Sequence, residues 1–240
     1  MNSITALRKE TDFDPQVPPQ SRDEVLARYR RLRQIGKRHH EDVLAFLSKD
    51  AMFDHARRLG LTRGKILVAD SIDQMTMAMD LAIYTAAPGR SRAIDRYANS
   101  GRWAPGSEEA MMLEVMRNAR FGVLQVKGRH PTAGLIVTEV FRQIELWLVD
   151  ENMEATMPVG LAFAGRFFTP GPFVMNAGVG VPLTQEALRR VLFSLPKVMR
   201  KPRPELVEDR RFAETAYRNA IEDGSSETMA FRDPGGGDED

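Results

Sequence analysis

Near residue 120 the spacing of apolar residues changes, which limits the chain to folds that keep helices and strands in separate stretches. Before this point apolar residues recur every three or four positions, as on one face of a helix, for example at Val25, Leu26, Tyr29, Leu32 and Ile35. After it, apolar and polar residues alternate in short runs bounded by turn formers, which is typical of strands. Since no crossover helix separates these runs, we expect the strands to be antiparallel.

The sequence therefore predicts an α+β fold. Five candidate strands predict a small antiparallel barrel, SH3-like or OB-like, or a strongly coiled sheet, namely FGVLQVKGR, GLIVTEVFR, IELWLVDE, VGLAFAGRFF and PFVMNAGVGVPL. The expected regions are a disordered segment over 1–20, a helical region over 21–120, the β region over 121–183, C-terminal helices over 184–223 and a disordered acidic tail over 224–240.

Local signals fix several helix boundaries. The segment SRDE at 21–24 predicts a capping box, in which Ser21 and Glu24 bond each other's main chain. Asp70 is the expected cap of a helix over 70–89. A single helix is predicted over 204–224, with proline in its first turn and glycine past its end.

Composition and spacing argue against several familiar chemistries. The chain has no cysteine, so thiolate nucleophiles, iron–sulfur clusters and cysteine-based zinc sites are excluded. In HHED only His39 and Asp42 have the spacing of a helical metal pair, and nothing nearby completes a site. GLTRGKI lacks the glycine spacing of a phosphate-binding loop, and no G-x-S-x-G motif occurs. We therefore expect no cofactor and no metal.

One helix face carries a weak set of catalytic candidates. Asp73 and Asp80 lie two turns apart, and Tyr84 follows one turn later, which is compatible with a carboxylate site in a helical cleft. The structural alternative is that Asp73 stabilises the helix N-terminus while Asp80 pairs with an arginine such as Arg92 or Arg96. We favour that alternative, and whether the protein is an enzyme is left open, with a non-enzyme preferred.

Polar residues of the β region could likewise be either catalytic or structural. His130, Glu139, Glu145 and Asp150 lie in or beside turn-forming sequences between the candidate strands. Each residue fits the geometry of a hairpin without any catalytic duty. We interpret them as turn and strand-end residues.

The net charge of +1 conceals a segregation of charge. Residues 21–66 carry twelve lysines and arginines against six acids, whereas residues 222–240 carry seven acids and one arginine. A basic array suits phosphate contacts, and the candidate nucleic-acid-binding residues are Arg28, Arg30, Arg31, Arg33, Lys37 and Arg38. The alternative is that these side chains coat a solvated helix face and pair with the acidic tail.

The favoured function is a non-catalytic cytoplasmic binding or regulatory protein that acts through protein–protein contacts. The partner is not identified, and self-association into a homo-oligomer is a further expectation, since thirteen methionines suit adaptable contact surfaces. The second hypothesis is nucleic-acid binding through the arginine-rich N-terminal helices. The third is an enzyme. No apolar run approaches the length of a membrane span, so no membrane partner is expected.

Overall fold

The computed structural model describes residues 21–48 and 50–225, so the disorder predicted over 1–20 and over most of 224–240 lies outside the described residues. Helices and one large sheet occupy successive stretches, and the α+β prediction is confirmed. The elements before the sheet are α1 (Arg22–Val43), a 3-10 turn (Leu44–Phe46), α2 (Ala51–Arg58), β1 (Thr62–Arg63), β2 (Ile66–Leu67), α3 (Ile72–Tyr84), α4 (Ala93–Ala98) and α5 (Glu108–Arg117).

All five candidate strands are present, with one short helix among them. The remaining elements are β3 (Arg120–Arg129), β4 (Leu135–Glu139), β5 (Ile144–Leu148), α6 (Glu151–Thr156), β6 (Ala162–Phe168), β7 (Met175–Pro182), α7 (Gln185–Phe193), a 3-10 turn (Val198–Arg200), α8 (Arg203–Glu208) and α9 (Arg210–Glu222). The β1–β2 ribbon and α6 are additions that the sequence patterns did not predict.

The five-stranded antiparallel sheet is confirmed, but the predicted barrel is wrong because the sheet is not closed. Its strand order is β5-β4-β3-β6-β7, and every neighbouring pair is antiparallel. The two edges meet at one point, where Leu148 forms a single parallel bridge with Val174. There the Val149 N–H donates to the Val174 carbonyl at 3.0 Å. One bridge is not a ladder, so the sheet curls without closing, and part of its concave face stays open.

Helix boundaries follow local signals in one case and depart from them in two. The predicted capping box is confirmed, since Ser21 and Glu24 each bond the other's main chain. The cap of α3 is Ser71 rather than Asp70, because the Ser71 hydroxyl accepts from the amide of the third helical residue. The single helix predicted over 204–224 is wrong. It is interrupted at Asp209, whose backbone is extended and whose carboxylate caps α9.

Apolar side chains pack on both faces of the sheet, as strand alternation requires. One face packs against α2, α3 and the C-terminal helices through residues that include Phe121, Val123, Ala164, Val179 and Val181. The concave face holds a second cluster, formed by Leu124, Val126, Leu135, Val137, Leu148, Phe163, Phe167 and Val174 together with Met153 and Met157 beside α6. Core packing therefore holds the elements that lie around the start of β3 and the neighbouring end of β6.

Gly134, just before β4, occupies a position where no side chain fits. Its φ is +79°, and a Cβ atom added there would lie 2.2 Å from the Leu148 carbonyl oxygen. Gly134→Ala is expected to lower the free energy of unfolding by about 2–4 kcal/mol, because β5 must shift and the backbone is strained. Urea denaturation measures this loss.

The matched control is Gly160→Ala. Gly160 has a φ of +90°, but an added Cβ would meet nothing within 4 Å. This variant reports backbone strain alone, at about 1 kcal/mol. Equal losses in the two variants would show that the contact with Leu148 does not cause the effect.

Candidate functional site

Asp80, a predicted catalytic candidate, lies in a buried ion pair with Arg166. Its carboxylate accepts hydrogen bonds from Arg166 Nε at 2.7 Å and Nη2 at 2.9 Å, and each side chain is only 7% exposed. The predicted partners are engaged elsewhere, since Arg92 pairs with Asp95 and Arg96 donates to main-chain carbonyls. The prediction that Asp80 pairs with an arginine is confirmed, but the partner is Arg166, which binds both carboxylate oxygens, rather than Arg92 or Arg96.

The structure brings Tyr84 to this pair and leaves Asp73 apart. The Arg166 guanidinium lies over the Tyr84 ring, 4.7 Å from the ring centroid, and the Tyr84 hydroxyl is hydrogen-bonded to His40 at 2.8 Å. Burial raises the pKa of Tyr84. Asp73 lies two helical turns before Asp80, about 10 Å along the axis, and burial raises its pKa too. Asp80 and Tyr84 therefore both contact Arg166, and they do not form a common site with Asp73.

The predicted nucleic-acid-binding residues of α1 are mostly engaged with other elements. Arg30 donates to both oxygens of Glu151 at 3.0 and 2.6 Å, which ties α1 to the start of α6. Other arginines of α1 contact α5 and the segments around β7. Arg31 pairs with Glu108 and Arg38 with Glu109, whereas Arg28 donates to the Pro170 carbonyl and Arg33 to the Asn176 carbonyl. Lys37 is exposed.

These contacts bear directly on the nucleic-acid hypothesis, which stays a prediction. Exposed ion pairs contribute little to stability, so a phosphate could displace a carboxylate from an arginine such as Arg30. Such a contact would still exchange one anion for another at each site. Apolar residues of α1, such as Val25, Leu32 and Ile35, pack in a core cluster with residues of α5, and the basic side chains make their contacts around that packing.

A cleft of about 410 Å3 opens beside the buried ion pair, where α3, α5 and α8 end and where β3 and α9 begin. Five arginines and two carboxylates are among its lining residues, and we call it the arginine cleft: Arg92, Arg117, Arg120, Arg166, Arg210, Glu208 and Asp209. The rest of its lining is Tyr84, Thr85, Ala86, Asn118, Ala119, Phe121 and Ala213.

Three of these arginines are held by carboxylates that lie behind the cleft surface. Arg92 and Arg117 both bind Asp95, at 2.7 and 3.4 Å, and Arg166 binds Asp80. The hydrogen bonds from Arg92, reinforced by Arg117, lower the pKa of Asp95. These pairs fix the positions of the guanidinium groups and keep the wall of the cleft in one shape.

The other two arginines retain capacity for a ligand. The Arg210 side chain makes no hydrogen bond or ion pair with any of residues 21–48 and 50–225. The Arg120 side chain is 70% exposed, and its nearest carboxylate, that of Glu208, lies 3.9 Å away. That carboxylate is bound more closely by Arg142, at 2.5 Å. Arg120 and Arg210 are therefore the groups most available to an anion.

The acidic residue beside Arg210 is neutralised within the fold. Asp209 binds Arg211 at 2.8 Å and Lys201 at 2.9 Å, and these hydrogen bonds, those of Arg211 foremost, hold its pKa well below the usual range. The ends of α3, α5 and α8 contribute partial negative charge to the cleft, whereas the start of α9, where Arg210 lies, contributes partial positive charge. Because Asp209 is held by other cations, the Arg210 guanidinium is left to attract an incoming carboxylate or phosphate.

The residues that form the cleft left few signals in the sequence. Arg166 was visible as a lone cation on the small-residue face of a strand, where burial requires an anionic partner. Arg120 looked like a strand flank, and Arg210 fell inside the single helix predicted over 204–224. The position of Arg210 depends on the break at Asp209, where the sequence analysis placed a favoured helix-capping residue inside one continuous helix.

Polar residues of the β region lie in structural hydrogen bonds. Asp150 caps α6 by accepting from two main-chain amides at 3.1 Å. The Glu139 carboxylate accepts from the main-chain N–H of Arg142 at 2.5 Å, and His130 stacks on Trp147 with 4.1 Å between ring centroids. Their interpretation as turn and strand-end residues agrees with these contacts.

The described residues contain neither a metal-binding cluster of side chains nor a helix that could span a membrane. Within 21–48 and 50–225, no three histidine, aspartate or glutamate side chains are grouped so that they could hold a metal ion. In the same stretch, no helix has the length and apolar character needed to cross a membrane.

Comparison with known proteins gives one match. The model of a family described as a family of unknown function, DUF7986, matches residues 23–229. The matched range includes every residue that lines the arginine cleft. No curated protein and no solved structure matches the chain.

Proposed function

The chain belongs to the family of unknown function DUF7986, and we propose that it is a non-catalytic binding protein that holds an acidic segment of a partner protein in the arginine cleft. One observation carries the proposal. Arg210 and Arg120 line the same cleft, and neither is closely paired within the described residues. Guanidinium groups bind carboxylates through paired hydrogen bonds, which makes arginine well suited to recognise acidic side chains.

Binding is preferred to catalysis because of the state of the candidate carboxylate. Both oxygens of Asp80 are bound by Arg166, and the Tyr84 ring lies against the same guanidinium. A general base needs a free oxygen within hydrogen-bond distance of the proton that it removes. The two carboxylates that line the cleft pair with cations, Glu208 with Arg142 and Asp209 with Lys201 and Arg211, so cations predominate in the cleft.

A protein partner is preferred because of the shape and composition of the cleft. It is an open depression, whereas small-molecule sites usually enclose most of their ligand. Arginine is enriched at protein interfaces. The proposal places the protein in the cytoplasm, which agrees with a sequence that contains no cysteine.

The test is the binding of a fluorescein-labelled hexaglutamate peptide, followed by anisotropy at low salt. Arg210→Gln is expected to weaken binding about five- to tenfold, since it removes roughly 1–1.4 kcal/mol of charge-assisted hydrogen bonding. The control is Arg189→Gln. Arg189 is exposed on α7, and its neighbour Arg190 binds Asp223 just past the far end of α9, about 20 Å from Arg210 along that helix.

The control variant is expected to bind the peptide as the wild type does. Absence of peptide binding at low salt would overturn the proposal, and so would equal weakening by the two substitutions. Labelled duplex DNA of matched charge serves as a second probe. Tighter binding of the duplex, unaffected by Arg210→Gln, would favour the nucleic-acid hypothesis instead.

A further inference from the structure

A second depression, of about 550 Å3, adjoins the arginine cleft on the open part of the concave face of the sheet. The two share Asn118, Arg120 and Phe121 as lining residues. We call it the apolar groove after the side chains that form most of its walls: Met111, Val115, Leu124, Ile144, Leu146, Phe167, Phe168 and Val174. It exists because the sheet curls without closing.

Three of the four charged residues that line the apolar groove are bound by neighbouring groups, and the fourth is Arg120. Glu114 pairs with Arg117 at 2.8 Å. The Glu139 carboxylate accepts from the main-chain N–H groups of Val123 and Arg142, at 3.4 and 2.5 Å. The Arg142 guanidinium binds Glu139 and Glu208, at 3.5 and 2.5 Å. What the groove offers a ligand is therefore apolar surface, whereas the adjoining cleft offers cations.

Met111 gives this surface an adaptable edge. Its side chain is 56% exposed, which is high for a large apolar residue. Flexible thioether side chains can repack around different apolar groups. The floor is formed by Gly122, where an added Cβ would lie at ordinary contact distance, 3.7 Å, from Glu139 and Phe167.

We propose that the apolar groove receives a large apolar side chain of the same partner segment whose acidic residues bind the arginine cleft. This inference rests on the proposed function and deepens it, because it defines the partner as an acidic stretch with a leucine or phenylalanine within a few residues. Continuity of the two depressions through Arg120 and their complementary character support it. Neither is enclosed, which suits an extended segment that lies along the surface.

The test compares two labelled peptides on the full chain, Glu-Asp-Glu-Gly-Phe-Leu and its counterpart Glu-Asp-Glu-Gly-Ala-Ala. The wild type is expected to bind the first peptide about tenfold more tightly. Met111→Gln and Gly122→Val, which make the groove polar or fill it, are expected to reduce this ratio to about one. Arg189→Gln is the control and should leave the ratio unchanged. Met111 is exposed, so its substitution gives a result even if Gly122→Val fails to fold.

Equal binding of the two peptides by the wild type would overturn the groove proposal while the arginine cleft proposal stands. Absence of binding by both would overturn the two together. Unlabelled competitors separate other occupants of the groove. Displacement of the first peptide by palmitate, but not by hexaglutamate, would assign the groove to a lipid chain. Stronger displacement by a peptide of residues 226–240 would assign it to this chain's own tail, and either result would overturn the proposal.

Discussion

Replacing Arg166 with methionine is expected to lower the free energy of unfolding by about 3–5 kcal/mol. The substitution leaves the Asp80 carboxylate buried without the two hydrogen bonds of 2.7 and 2.9 Å that it now accepts. It also removes the cation that lies over the Tyr84 ring. An isolated buried charge is far more costly than the pair it came from. Urea denaturation at neutral pH measures the loss.

Two further variants make this expectation specific. Arg190→Met breaks a surface pair with Asp223, whose side chains are 44% and 32% exposed, and should cost less than about 1 kcal/mol. The double variant Asp80→Leu with Arg166→Met should lose less than Arg166→Met alone, since no charge is left unpaired. A loss in Arg166→Met as small as that in Arg190→Met would contradict the assigned role of the buried pair.

Acidification from pH 6.5 to 5 is expected to destabilise the fold by roughly 3 kcal/mol through two histidines. Burial lowers the pKa of His40 to about 4 and that of His55 to about 4, whereas the unfolded value is about 6.5. In this window the unfolded state binds more protons than the folded state, so the free energy of unfolding falls as the pH falls. His40 and His55 contribute this amount in equal parts, and burial lowers the pKa of His39 and His130 in the same direction.

His55→Leu separates this effect from the titration of carboxylates, which matters mainly below about pH 5. His55 Nδ1 is buried and has no hydrogen-bond partner among the described residues, so leucine should be tolerated at pH 6.5. Urea midpoints at pH 6.5 and 5 should differ clearly less in the variant than in the wild type. Identical differences in the two proteins would show that His55 titrates normally.

The features that could be predicted from the sequence are those that depend on neighbouring residues. The capping box at Ser21 needs only residues 21–24, and the alternation in the β region marks each strand within its own length. Antiparallel pairing follows from the short connections between strands. Closure of the sheet depends instead on how far its two edge strands curl towards each other. Only the bridge between Leu148 and Val174 joins them in the described residues.

The candidate site could be predicted even less well, because its residues are far apart in the sequence. Asp80 was found from its spacing, but its partner Arg166 lies 86 residues away on β6. Arg210 lines the cleft because the helix breaks at Asp209, whose carboxylate is held by Lys201 from a separate turn. Asp209 also caps α9 by accepting from the main-chain N–H of Arg211, so the break had a local signal that the prediction of a continuous helix missed. A cleft assembled from the ends of several elements leaves no local motif.

The residues that peptide binding perturbs would show whether the arginine cleft is the binding site. Amide chemical shifts of the full chain, recorded by NMR during titration with hexaglutamate, would map the contact surface. We expect the largest changes at Thr85, Asn118, Arg120 and residues 208–213, with little change along α7. Changes concentrated on α1, or no changes at all at saturating peptide, would contradict the assignment of the arginine cleft as the binding site.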